Sequence, residues 1–211
     1  KTDGSVVTWG KTDRGGDSST VSTSLTSGVI KIYSTERAFA VIKDDGSVIT
    51  WGDSSYGADS SSVSSSLTSG VSKIYSNNTA FAALKADGSL ITWGNSSNGG
   101  NSSSVSSSLA LGVKKVFPNY YAFAALKTDG SLVTWGSSSY GGNSSSVSSS
   151  LTSGVMTIHS NRYAFAALKS DGSVVTWGDS NSGGNSSSVS SSLTSGVTKI
   201  YSKYKSFAAL K

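Results

Sequence analysis

A Trp-Gly pair recurs at Trp9, Trp51, Trp93, Trp135 and Trp177, every step 42 residues, with no insertion or deletion along the chain. Phe39, Phe81, Phe123, Phe165 and Phe207 keep the same interval. So do Val29, Val71, Val113, Val155 and Val197, and the Asp-Gly-Ser triplets that begin at Asp3, Asp45, Asp87, Asp129 and Asp171. A fixed period of this size belongs to solenoids, propellers and arrays. Five periods account for 210 of the 211 residues, and a unit this short cannot bury its own apolar face without neighbours. The expectation is therefore a single repeat domain over residues 1–211.

Each repeat reads as three strands and a covering segment. In the second repeat, Val71–Ser76 is rich in β-branched and aromatic residues, Asn77–Thr79 is polar, and Ala80–Lys85 is apolar on both faces. A strand apolar on both faces is buried on both. Asp87-Gly88 predicts a two-residue type I′ hairpin with positive φ at both central positions, and Ser89–Gly94 forms the third strand. A Ser/Gly-rich stretch follows, in which Val105 and Leu109 stand four apart. That spacing suits one or two helical turns, with Asn101 or a nearby serine as N-cap and Val and Leu as anchors. Serine is a poor helix former, so an irregular segment fits equally. The recurring tryptophan reads as a packing residue between sheets, with a sugar-stacking platform as the alternative.

Strand, polar loop, Ala-Phe-Ala-Ala-Leu-Lys, Asp-Gly-Ser, Val-Val-Thr-Trp-Gly and Gly-Gly follow one another in this order, best seen from Ala167 to Gly178. The order resembles the regulator of chromosome condensation repeat and the related repeats of β-lactamase inhibitory protein II and the plant ultraviolet receptor. The resemblance covers the whole chain and implies an all-β fold, a β-propeller. Members of that family exchange nucleotides on a small GTPase, inhibit enzymes or sense light, all through loops and faces. The well-known members have seven blades where this chain has five repeats. The Ser-Ser-Ser-Val-Ser-Ser-Ser-Leu segment is atypical, and the usual Gln-Leu-Gly after the tryptophan is missing, so no functional residue transfers. By blade number alone the chain is also similar to the tachylectin type of lectin.

The chain begins just before Asp3-Gly4, without methionine, as a mature product or a piece of something longer does. It ends at Lys211, the residue that precedes the same turn elsewhere. Phe207–Lys211 and Ser5–Trp9 thus lack their partner strands, and each is what the other needs. The expectation is a propeller of five 42-residue blades closed by the ends, the terminal blade shared between 1–10 and 197–211. A window on a longer array is the competing reading.

Chemistry is sparse. There is no cysteine, hence no disulfide or thiolate metal site. The single His159 takes a position held by Tyr33, Tyr75, Phe117 and Tyr201 in the other repeats, and reads as an aromatic replacement. One histidine builds neither a zinc site nor a catalytic triad. The Gly-Gly-Asn runs carry neither the lysine of a phosphate loop nor the aspartates of calcium repeats. No enzyme, cofactor or metal is expected. The net charge is +5, but the recurring lysines (Lys1, Lys43, Lys85, Lys127, Lys169, Lys211) mostly stand two residues before an aspartate, so no nucleic-acid stripe forms. No run of 18 apolar residues is present, so no transmembrane segment is expected.

The repeats differ in two loops. One follows Trp-Gly (11–14, 53–56, 95–98, 137–140, 179–182); the other joins the first two strands (35–37, 77–79, 119–121, 161–163, 203–205). Loops vary because they are free to. Yet the second set gathers tyrosine and basic residues, which interfaces favour. The candidate binding face is Tyr120, Tyr121, Arg162, Tyr163, Lys203 and Tyr204. The function expected is a non-catalytic scaffold, a protein-binding or structural module of a cell-surface or extracellular assembly. A multivalent lectin with one glycan site per blade is the alternative, and a cytoplasmic location stays open. Asn-x-Ser/Thr at Asn77, Asn95, Asn101, Asn143 and Asn185 lends an extracellular life weak support.

Overall fold

The computed structural model describes residues 3–211; Lys1, of the recurring lysines, lies outside them. The chain divides into two compact units, Lys1–Ser102 and Ser103–Lys211.

In the first unit, β1 (Val29–Ser34), β2 (Ala38–Lys43) and β3 (Val48–Gly52) form one antiparallel sheet, and β4 (Val71–Ser76), β5 (Ala80–Lys85) and β6 (Leu90–Gly94) a second. The second unit repeats this twice, with β7 (Val113–Pro118), β8 (Ala122–Lys127) and β9 (Leu132–Gly136), then β10 (Val155–Ser160), β11 (Ala164–Lys169) and β12 (Val174–Gly178). A two-stranded sheet, β13 (Lys199–Lys203) with β14 (Ser206–Leu210), completes it. The fold is all-β, built of repeated antiparallel sheets in the order of the sequence.

The doubly apolar middle strands are buried as expected: Ala80, Phe81, Ala82 and Ala83 have no exposed surface. Trp93 lies directly opposite Phe81, their rings stacked with centroids 5.2 Å apart. Its indole Nε1 donates to the carbonyl of Gly57, 36 residues back, at 3.0 Å. Trp51 and Trp177 bond Gly15 and Gly141 in the same way. The apolar ring is thereby buried and its one donor satisfied. Trp51, Trp93, Trp135 and Trp177 are packing residues, 2–4% exposed, and offer no stacking platform to a sugar.

The covering segments are short 3-10 helices, Ser61–Leu67 for example, with a single α-helical turn at Ser106–Leu109. Leu25, Leu67, Leu109 and Leu151 anchor them in the core. The residue at the Asn101 position caps them from outside: Asp17, Asp59, Asn143 and Asn185 each accept a bond from the backbone N–H two residues on. The recurring lysines close the other end. Lys43, Lys85 and Lys169 donate to the carbonyls of Ser24, Ser66 and Ser150 at 2.8–3.1 Å. A cation at a helix C-terminus satisfies its orphan carbonyls.

Three expectations need correction. The hairpin is not type I′. Gly46 N–H bonds the Lys43 carbonyl and Lys43 N–H the Ser47 carbonyl, both at 2.9 Å, so the loop holds three residues, Asp44-Asp45-Gly46. Among the described residues only glycines have positive φ, so Asp45 does not supply the second one that type I′ needs. Gly46 alone does, at φ 76°, and the Asp45 carboxylate accepts the Ser47 N–H at 2.8 Å. This is a type I turn closed by a left-handed glycine. Second, Ser5–Trp9 is not a strand, Trp9 is 83% exposed, and β14 pairs with β13 alone among the described residues. Third, Asn77 is buried and its amide occupied, so that sequon is closed to a glycan in the folded unit.

Candidate functional site

Three loops of the second set are braced from beneath by asparagine, at Asn77, Asn119 and Asn161. Asn161 Oδ1 accepts the N–H groups of Tyr163 and Ala164, each at 2.9 Å, and its Nδ2 donates to the Ser182 carbonyl at 2.7 Å. Asn119 does the same for Tyr121 and Ala122, and reaches the Tyr140 carbonyl at 2.6 Å. Both asparagines are buried, so one amide satisfies three backbone groups and fixes the turn from which the next two side chains project.

Neighbouring loops of the second unit are joined at the backbone: Tyr120 N–H bonds the Arg162 carbonyl, and Arg162 N–H the Tyr204 carbonyl, both at 3.3 Å. The side chains converge above them. The Arg162 guanidinium lies 3.8 Å from the Tyr120 ring centroid, 5.4 Å from Tyr204 and 5.6 Å from Tyr163. Tyr121 stacks between Tyr140 (4.7 Å) and Tyr163 (5.9 Å), and Tyr163 meets Tyr204 edge-on at 6.0 Å, their hydroxyls 3.4 Å apart. Cation–π contacts of this kind contribute about 0.5–2 kcal/mol.

Five of the six expected residues thus come together. Lys203 does not join them through a ring contact: it ends β13 opposite Ser206, at the position that Asn161 takes one repeat earlier. Lys205 takes its place, its ammonium 5.3 Å from the Tyr163 ring and 5.8 Å from Tyr204. Tyr140, from the other variable loop, was missed. Nothing in a one-dimensional reading places residue 140 beside residues 121 and 163; only folding brings the two loop sets together.

The cluster shifts the ionisation of its own members. The Tyr204 hydroxyl is lowered, first by its bond with Tyr163 and further by Arg162 and Lys205. Tyr163 is raised, the bond with Tyr204 again leading and burial adding. Burial works against the charge of Arg162, but the Tyr121 hydrogen bond and the surrounding tyrosines outweigh it and raise its pKa.

The first unit holds a counterpart with the opposite electrostatics. Arg37 lies 4.5 Å from the Tyr56 ring centroid, and two carboxylates attend it, Glu36 at 3.6 Å and Asp53 at 3.9 Å. The second unit carries nine lysines and arginines against three acids, Asp129, Asp171 and Asp179.

Solved structures similar to the chain include Prp20p from Saccharomyces cerevisiae, described elsewhere as yeast RCC1, at 14% identity and TM-score 0.49. The CRINKLY WD40 ectodomain of the Arabidopsis thaliana receptor kinase ACR4 matches at 15% and 0.46, and human WBSCR16 at 20% and 0.44. Each match covers 71% of this chain and 45%, 51% and 47% of the respective neighbour, so the chain spans about half the length of the structures it resembles. No family model matches the sequence, and no curated protein matches it.

Among the described residues no three His, Cys, Asp or Glu side chains gather into a group able to hold a metal, and no helix is long and apolar enough to cross a membrane. His159 stands on β10 opposite Ala166, half-buried; burial, then Lys115 and Lys199, lower its pKa.

Proposed function

We propose that the chain is a non-catalytic, protein-binding scaffold whose contact face is the tyrosine cluster around Arg162. The observation that carries this reading is the convergence of Tyr120, Tyr163 and Tyr204 on Arg162, with Tyr121 and Tyr140 packed against Tyr163. Tyrosine and arginine supply large, stiff contact area with polar tips, the composition of interface hot spots. Braced loops reduce the ordering cost of binding. Among the described residues the face occurs once, in the second unit, and the counterpart around Arg37 is self-neutralised, which favours one partner over a site per repeat.

The test is affinity capture with the chain and with an R162A/Y163A/Y204A variant, followed by calorimetric titration of the purified partner, beside a glycan array. One-to-one binding lost in the variant is expected. Several equal glycan sites would replace this reading with the lectin.

Two further elements belong to the same proposal. Residues 1–211 act as one repeat domain of five 42-residue units. The module works at a cell surface or in an extracellular assembly. Asn143 and Asn185 are exposed, and their occupancy after expression through a secretory pathway reads this directly.

A further inference from the structure

The fourth repeat departs from the others at two positions of one strand together. Elsewhere the first strand carries a lysine and, two residues on, an aromatic ring: Lys31 and Tyr33, Lys73 and Tyr75, Lys115 and Phe117, Lys199 and Tyr201. The fourth has Thr157 and His159.

Within the second unit β10 lies beside both β7 and β13, and Ser160 Oγ donates to the Pro118 carbonyl at 2.8 Å. The hairpin registers agree, with Phe117 opposite Ala124, His159 opposite Ala166 and Tyr201 opposite Ala208, so the three side chains stand at equivalent places on adjacent strands. Lys115 holds its ammonium 4.7 Å from the Phe117 ring centroid, and Lys199 holds its own 4.7 Å from Tyr201. A ring positions an ammonium without neutralising it. Between these two charges the expected third lysine is absent, replaced by a hydroxyl and an imidazole. The strands packed against β10 carry Lys114, Lys115, Lys127, Lys169, Lys199 and Lys203, with Tyr201, and no carboxylate.

We propose that Lys115, Thr157, His159 and Lys199 form a binding site for a small oxyanion of the sulfate or phosphate type. The ammonium groups supply charge, while Thr157 and the imidazole N–H supply directed donors. The shorter Thr157 stands at the place of the third lysine. Burial first, and then Lys115 and Lys199, lower the pKa of His159, and a bound anion would offset the part that the two lysines contribute. By linkage, a bound anion favours protonation of His159, and protonation favours the anion, so binding tightens as pH falls through the imidazole range.

His159 is the only histidine, so its ring signals in proton NMR need no assignment. Its titration is followed from about pH 5 to about pH 8 in chloride and in sulfate at equal ionic strength. Sulfate stays doubly charged across that range and adds no titration of its own. A pKa higher in sulfate by about half a unit is expected. Lys115→Gln and Lys199→Gln should each raise the pKa in chloride and remove the sulfate difference. Both lysines are exposed, so the variants keep the fold. Equal pKa values in the two salts would reduce the effect to screening and overturn the site. A sulfate response surviving both substitutions would overturn it too. Methyl sulfate in place of sulfate separates the sources: a response to both marks an oxyanion carried on a larger molecule, and a response to sulfate alone a free ion.

Discussion

Replacing Asn161 by alanine removes one side chain and strands three backbone groups: the N–H of Tyr163, the N–H of Ala164 and the carbonyl of Ser182. Ala164 has no exposed surface and Ser182 is 2% exposed, so water replaces neither lost bond without opening the loop. An unsatisfied buried group costs about 1–3 kcal/mol. Two such groups, plus a third that water partly reaches from the Tyr163 side, give a loss of about 3 kcal/mol. In urea, followed by tryptophan fluorescence, that lowers the midpoint by about 1–2 M for an ordinary slope. The control is Asn77→Ala, which strips the same brace in the first unit, where Asn78 and Thr79 follow in place of Arg162 and Tyr163. It should cost as much stability and leave the tyrosine cluster unchanged. Asn161→Asp sharpens the test. The carboxylate keeps both acceptances but turns a second oxygen toward the Ser182 carbonyl, and so should destabilise at neutral pH and recover on acidification, when an O–H can donate. A loss below about 1 kcal/mol for Asn161→Ala would refute the reasoning, because it would mean that the loop holds its geometry without the amide.

Gly172→Ala should destabilise by about 2 kcal/mol or more in the same assay, since its φ of 75° disfavours a side chain and the new Cβ would fall 2.7 Å from the Gly196 nitrogen. The turn aspartates Asp45, Asp87, Asp129 and Asp171 are held below the usual carboxylate range by bonds from the serine two residues on. Their contribution is complete above the unfolded aspartate pKa and is lost as pH falls through the lower folded values, so thermal unfolding should shift down only in acid; a midpoint flat across that range counts against it. Amides of Val6–Trp9 and Phe207–Leu210 should exchange with deuterium faster than those of Val48–Trp51 and Phe81–Leu84, and equal protection would mean that the ends are tied in a way the strand pairing does not include.

The sequence by itself determined what repeats. A 42-residue period, apolar on both faces at Ala80–Lys85 and punctuated by Asp-Gly, fixes three strands, their order and the buried tryptophan, because these follow from local pattern and burial repeated in identical surroundings. It also pointed to the loops in which Tyr120, Tyr121, Arg162, Tyr163 and Tyr204 lie, since departure from the repeat is visible in one dimension. Tertiary structure decided what depends on geometry across the repeats. Asp-Gly fits both a two-residue and a three-residue hairpin, and Gly46 bonding back to Lys43 selects the second. Tyr140 joins the cluster, and Lys205 rather than Lys203 faces it, because the hairpin from β13 to β14 turns at Tyr204-Lys205. The recurring lysines read as charges alternating with aspartate, yet they serve as caps, because the carbonyls they satisfy lie 19 residues away along the chain and beside them only once the sheets are folded.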